Sequence, residues 1–204
     1  MVPAPKLRPM NTPNSSCKPV PQRARRSQRG FTLIELAIVL AVASVVAGTA
    51  VPAFADYVRT ARVKSATSDL FSALLLARGE ALRSNVRVVV CKSADGDTCA
   101  GGGGWEQGWI MFQDANGNAV READEAVVLR GPPMPGGVRA TGNGSVARYV
   151  SYAPEGVTKL AGGGFQAGTL TVCLAAANAD EAREIIINST GRPRVQKTRV
   201  SACI

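Results

Sequence analysis

The 204-residue chain contains no histidine. That absence removes the commonest general base and the commonest metal ligand together. No serine-centred nucleophile motif and no carboxylate pair spaced for acid–base work takes its place, so the sequence offers an enzyme little to work with. The five cysteines include no C-x-x-C pair, so a zinc site has no signature either, and no cofactor is called for. Acidic residues are missing from the first thirty positions and again after Glu184. No internal repeat is visible.

The longest gap in charge is also the longest apolar run. From Phe31 to Ala55 the one ionisable residue is Glu35. Some twenty apolar residues rising about 1.5 Å each cover the roughly 30 Å hydrocarbon core of a bilayer, so the run predicts a membrane-spanning helix. An acidic side chain inside such a helix costs on the order of 2.5–3.5 kcal/mol and calls for a partner. Cleavage after Gly30 would create one, because the new α-amine of Phe31 would lie one helical turn from Glu35. Before the run stand Lys6, Arg8, Lys18, Arg23, Arg25, Arg26 and Arg29 among several prolines. This reads as a disordered basic leader that holds the N-terminus in the cytoplasm and leaves the rest of the chain on the far side of the membrane.

The residues G-F-T-L-I-E-L, Gly30 to Leu36, resemble the processing site of type IV pilins and of type II secretion pseudopilins. The resemblance implies cleavage after Gly30 by a prepilin peptidase, N-methylation of Phe31, and use of Glu35 to register subunits against other pilins or pseudopilins of the same filament. L-A-R-G-E-A-L-R-S-N-V (Leu76 to Val86) and W-E-Q-G-W-I-M-F-Q-D-A-N-G-N (Trp105 to Asn118) resemble the branch of that family containing pseudopilin H and FimT. Two functions follow from the resemblance: a minor structural subunit of a secretion pseudopilus or type IV pilus, or a DNA-binding minor pilin of the FimT type that acts in DNA uptake.

Loss of the leader changes the charge balance. The formal net charge of +9 falls to +2, with 17 basic against 15 acidic residues, so a high pI is no argument for nucleic acid. Cys17 leaves as well, and Cys91, Cys99, Cys173 and Cys203 remain. In an oxidising compartment four cysteines predict two disulfides, with three connectivities possible. Cys91–Cys99 and Cys173–Cys203 are preferred, because the first pair brackets a short loop and the second ties the C-terminal tail to a strand. On the chain-entropy model these would contribute roughly 2.5 and 3.5 kcal/mol.

Beyond Pro52, which is expected to kink or locally melt the helix, Val63, Thr67, Leu70, Leu74, Ala77 and Ala81 recur every three or four residues as far as about Ser84. That pattern predicts an amphipathic helix lying on a sheet, with Gly79 a mild weakness. After Val86 come short β-branched runs at Val86–Cys91, Gly108–Gln113, Ala126–Leu129, Val146–Tyr152, Thr169–Leu174 and Arg183–Ile187. The expected fold is therefore α+β and pilin-like, a long N-terminal helix packed on antiparallel sheet. Its segments are a leader (1–30), a membrane or filament-core helix (31–55), an amphipathic helix (56–85) and a β-rich periplasmic domain (86–204).

Three stretches invite further functions. Gly101–Gly104 lacks the Lys-Ser/Thr of a phosphate loop and reads as a linker. Asp114 to Glu125 imitates a calcium loop but carries Ala119 where glycine is needed, and Asn116-Gly117 reads as a hairpin turn. Arg192, Arg194, Lys197 and Arg199 form the one cation cluster of the mature chain. In an extended segment Arg192 and Arg194 would share a face while Pro193 and Val195 turn inward, giving either a charge-protected sheet edge or a phosphate-binding edge for a DNA backbone. The G-R-x-R order resembles the DNA-binding tail of FimT-type minor pilins.

Overall fold

The computed structural model describes residues 30–175 and 180–203. The basic leader and Cys17 lie outside the described residues. Two compact units divide the chain after Val45. In the first, residues 30–32 lead into helix α1 (Leu33–Ser84), which continues into the second. The backbone is helical at Pro52 and on either side of it, so the expected local melting does not occur. A proline removes one donor from a helix of 52 residues and leaves the remaining bonds in place.

In the second unit, α1 ends at Asn85, whose φ of 55° is the left-handed turn that closes many helices. Eight strands follow: β1 (Arg87–Lys92), β2 (Trp109–Asp114), β3 (Val127–Gly131), β4 (Val138–Gly142), β5 (Tyr149–Tyr152), β6 (Gly168–Leu174), β7 (Asp180–Ile187) and β8 (Arg194–Val200). They form two antiparallel four-stranded sheets. Sheet A has the order β3-β2-β1-β5 and sheet B the order β4-β6-β7-β8.

The helix covers both sheets. Val63, Ala66, Leu70, Ala73, Leu74, Ala77 and Ala81 form one buried stripe. They pack with Val88, Val90 and Met111 of sheet A and with Ala140, Leu170, Val172 and Ile185 of sheet B in a single core. Thr67 belongs to the same stripe because its hydroxyl donates to the Val63 carbonyl at 2.7 Å, which lets a polar side chain be buried. Sheet A is buried on its other face too, where Val89, Cys91, Ile110 and Phe112 form a second cluster with Ala119. This is why β1 is apolar along most of its length instead of alternating.

Two sequence expectations are corrected. Strand β4 was not foreseen, although V-R-A-T-G alternates, with Val138 and Ala140 buried and Arg139 and Thr141 exposed. Val146 belongs to a single 3-10 turn (Gly144–Val146), so β5 begins only at Tyr149. Trp105 explains the turn: it is fully buried and its indole N–H donates to the Val146 carbonyl at 3.2 Å, which holds the segment out of the ladder.

Candidate functional site

The N-terminal motif begins at Gly30. A Cβ built there meets nothing within 4 Å and no left-handed φ is required, so the fold itself has no need of glycine at this position. Helix α1 starts three residues later through a reciprocal cap. The Thr32 N–H donates to Glu35 Oε2 at 2.8 Å, the Thr32 hydroxyl donates to the same oxygen at 2.9 Å, and the Glu35 N–H donates to Thr32 Oγ1 at 3.3 Å. This is a capping box, in which two otherwise unpaired helix-end donors are satisfied. In the uncut chain the Glu35 carboxylate is therefore engaged by Thr32. The spacing T-x-x-E carried that signal in the sequence, and the reading based on the Phe31 amine missed it.

The large apolar side chains of this segment are exposed, from 56% at Leu36 to 89% at Phe31. Length and composition suffice for α1 to cross a membrane. The second unit is built differently, since its apolar helical stripe is covered by its own sheets.

The cysteines are joined as Cys91–Cys99 and Cys173–Cys203, with Cα separations of 5.6 and 5.8 Å. The short loop between Cys91 and Cys99 is organised by Asp95, whose carboxylate accepts from the N–H groups of Asp97 and Thr98 and from the hydroxyls of Ser93 and Thr98. The Thr98 contacts contribute most to holding that carboxyl far below its usual range. The calcium-like segment is closed in the same manner. Asp114 accepts from the backbone N–H groups of Gly117, Asn118 and Ala119, and Glu125 accepts from those of Ala115 and Glu122. Asn116-Gly117 is not a tight hairpin turn: Asp114 and Val127 are separated by a long connection in which Ala119 takes a φ of 59°. Burial pushes the Glu125 carboxyl up, because this side chain is hidden beneath the connection.

At the C-terminus, β8 is the outer strand of sheet B, antiparallel to β7, with Arg194 opposite Ile186, Val195 opposite Ile185, Lys197 opposite Arg183 and Arg199 opposite Glu181. Alternation divides the cations. Arg194 shares its face with Gln196 and Thr198, whereas Lys197 and Arg199 share theirs with Val195. Arg192 precedes the strand and Pro193 is buried, while Val195 remains 39% exposed at the sheet edge. The four cations read together in the sequence thus do not form one face. Lys197 is within 3.7 Å of Glu181. Gly191, unlike Gly30, is demanded by the fold: its φ is 76° and a Cβ would collide with the carbonyl of Gly156.

Comparison with known proteins agrees with this architecture. Residues 66–191 match the family model described as type II transport protein GspH, and residues 25–51 match the prokaryotic N-terminal methylation motif. The type IV major fimbrial protein FimA of Dichelobacter nodosus is 37% identical over 76 residues, which is 36% of this chain and 43% of that protein. The type IV major pilin PilE1 of Neisseria gonorrhoeae is 45% identical over 53 residues, 26% of this chain and 28% of its own. The chain thus spans less than half the length of these curated relatives. In fold it is similar to the type IV minor pilin FimU of Pseudomonas aeruginosa, with a TM-score of 0.53 and 15% identity over 72% of this chain and 99% of that one. With a methylation motif at the start of an exposed apolar helix and a matching two-sheet domain behind it, the chain belongs to the GspH family of type IV pilin-like proteins.

Proposed function

We propose that this protein is a minor subunit of a type II secretion pseudopilus or a type IV pilus. In this reading a prepilin peptidase cuts after Gly30 and Phe31 is N-methylated. The chain is anchored in the inner membrane with its N-terminus cytoplasmic and its two-sheet domain periplasmic, and it joins other pilins or pseudopilins through the first part of α1. The observation that carries the reading is the run from Phe31 to Ala55, whose described side chains are exposed and which holds one carboxylate. An apolar surface of that length needs lipid or other apolar helices around it. Gly30 supports recognition by an external enzyme, since no packing constraint asks for glycine there. The description of the matching family as a transport protein favours secretion. The second reading, a DNA-binding minor pilin acting in DNA uptake, would use Arg192, Arg194, Lys197 and Arg199, of which β8 puts Lys197 and Arg199 on the face opposite Arg194.

Co-expression with a prepilin peptidase tests the proposal. The intact mass should show loss of residues 1–30, and Gly30→Val should leave the full-length precursor. Glu35→Ala should be cut normally yet fail to crosslink into filament complexes. A chain that keeps its first thirty residues beside an active peptidase would overturn the reading.

A further inference from the structure

The second unit carries an unused concentration of positive charge at one end. A cleft of about 270 Å³ is lined by Asp56, Arg59, Thr60 and Val63 of α1 and by Leu174 and Glu181 of sheet B. Glu181 also lines a neighbouring depression with Lys197, Thr198 and Arg199. The tip of sheet B therefore lies beside the turns of α1 that follow directly on the apolar run. Arg59, Arg183, Lys197 and Arg199 gather around Asp56 and Glu181 there, and Asp180 precedes Glu181 in β7, opposite Val200. Glu181 is shared between Arg183 and Lys197 at 3.7 Å each, and the Arg59–Asp56 pair at 3.5 Å is largely open to solvent. Arg62, Lys64 and Arg199 have no ion pair among the described residues, and the buried Nε of Arg183 has no hydrogen-bond partner.

The height of this cluster along the helix decides what it can meet. The polar layer of a bilayer is roughly 5–7 Å deep on each side of the hydrocarbon. At about 1.5 Å per residue, that depth takes up the four or so residues after Ala55. Tyr57, 71% exposed, stands in this interval, where amphipathic aromatic rings collect at membrane surfaces. We propose that the tip of sheet B and residues 56–63 of α1 form a docking surface for the phosphate of an anionic phospholipid, with Arg59, Lys197 and Arg199 as its main contacts. The site rests on the membrane-anchored reading above. It gives Lys197 and Arg199 a role on the face opposite Arg194, and it fixes the domain close to the bilayer. Clustered Lys and Arg beside a membrane helix gain about fivefold in lipid affinity per charge.

The full chain in detergent micelles tests this by native mass spectrometry with added phosphatidylglycerol or phosphatidylcholine. Phosphatidylglycerol should be retained at least about tenfold better, and raising the salt should weaken the preference. Lys197→Gln with Arg199→Gln should bring retention of phosphatidylglycerol close to that of phosphatidylcholine, Arg59→Gln should reduce the preference about fivefold, and Lys197→Arg with Arg199→Lys should keep it. Arg192→Gln with Arg194→Gln, ahead of the strand and on its other face, should leave it unchanged. Equal retention of the two lipids, or a preference that survives both sets of Gln substitutions on the cluster, would overturn the site. Loss confined to the Arg192 and Arg194 pair, with a short DNA duplex displacing the lipid, would overturn it in favour of DNA. Extraction of the chain from phosphatidylcholine vesicles by alkaline carbonate would overturn the anchor itself. A chain that resists extraction but shows no lipid preference would overturn only the headgroup site.

Discussion

The two parts of helix α1 carry the same apolar residue types, which meet opposite fates. Between Phe31 and Phe54 the large apolar side chains are more than half exposed, whereas Val63, Leu70, Leu74 and Ala77 are 2% exposed or less. Apolarity decides that a surface will be covered, and the rest of the chain decides by what. The second part has two sheets to lie on, and charged residues on its other side keep it soluble. The first part has no polar face, and in the reading proposed above lipid or the helices of other subunits cover it.

The contrast is broken most sharply by truncating a leucine in each part. Leu74→Ala should destabilise the two-sheet domain by about 2–5 kcal/mol, because it opens a cavity in the core, while Leu40→Ala should change its stability by less than about 0.5 kcal/mol. Denaturant unfolding of the chain in micelles, followed by near-UV circular dichroism, would show equal losses if the two parts were packed alike. A glycine pair sharpens the same point. Gly191→Ala should cost about 1–3 kcal/mol in thermal unfolding, from a left-handed φ and a collision with Gly156, whereas Gly30→Ala should cost nothing measurable.

Smaller effects sit at the ends of elements. Thr32→Ala removes the cap and should loosen only the first turn of α1, by about 1 kcal/mol in amide exchange of Leu33 to Leu36. Exchange that rose equally across Val63 to Ala81 would mean the helix responds as one piece. Acid should act on the folded domain through Glu106. Burial raises this carboxyl, but the ion pair with Arg139 at 2.9 Å and the N–H of Ala140 outweigh it and leave it below its ordinary value. A group depressed on folding stabilises above its unfolded pKa and loses that contribution as the pH falls through the folded value, here below about 4.5. Glu106→Gln should therefore lower stability at pH 7 by about 0.5–1 kcal/mol and converge with the parent once the pH has fallen below the folded value. The smallest effect concerns DNA. With Lys197 and Arg199 on one face of β8 and Arg194 on the other, the slope of log affinity against log salt for the larger pair should be no steeper than about −1.8. A slope near −3.6 would show all four acting together.

How much of this was legible depended on the range of the signal. The helical stripe from Val63 to Ala81 was readable because a period of 3.6 residues is local, and the strand cores Val88–Cys91 and Leu170–Leu174 because β-branched runs are. Strand β4 was missed because five residues between Pro-Gly and Gly-Asn-Gly turns offer too few repeats to outweigh their breakers. The capping box at Thr32 was present as T-x-x-E, but the amine of Phe31, one turn away after cleavage, competes for the same carboxylate. The cation cluster was misjudged for another reason. Its four members are adjacent in sequence, but the strand begins at Arg194, so the alternation that relates Arg194, Lys197 and Arg199 does not extend to Arg192.

The sequence by itself determined the long apolar helix and the α+β class, which rest on composition or periodicity along a continuous stretch, and the family motif, which rests on the identities of Gly30 to Leu36. Tertiary structure alone decided which strands share a sheet, which cysteines lie within reach of one another, and that Glu181 of sheet B lines a cleft with Arg59 of α1. Those relations join residues far apart in the chain, and only the packing of both sheets on one helical face brings them together.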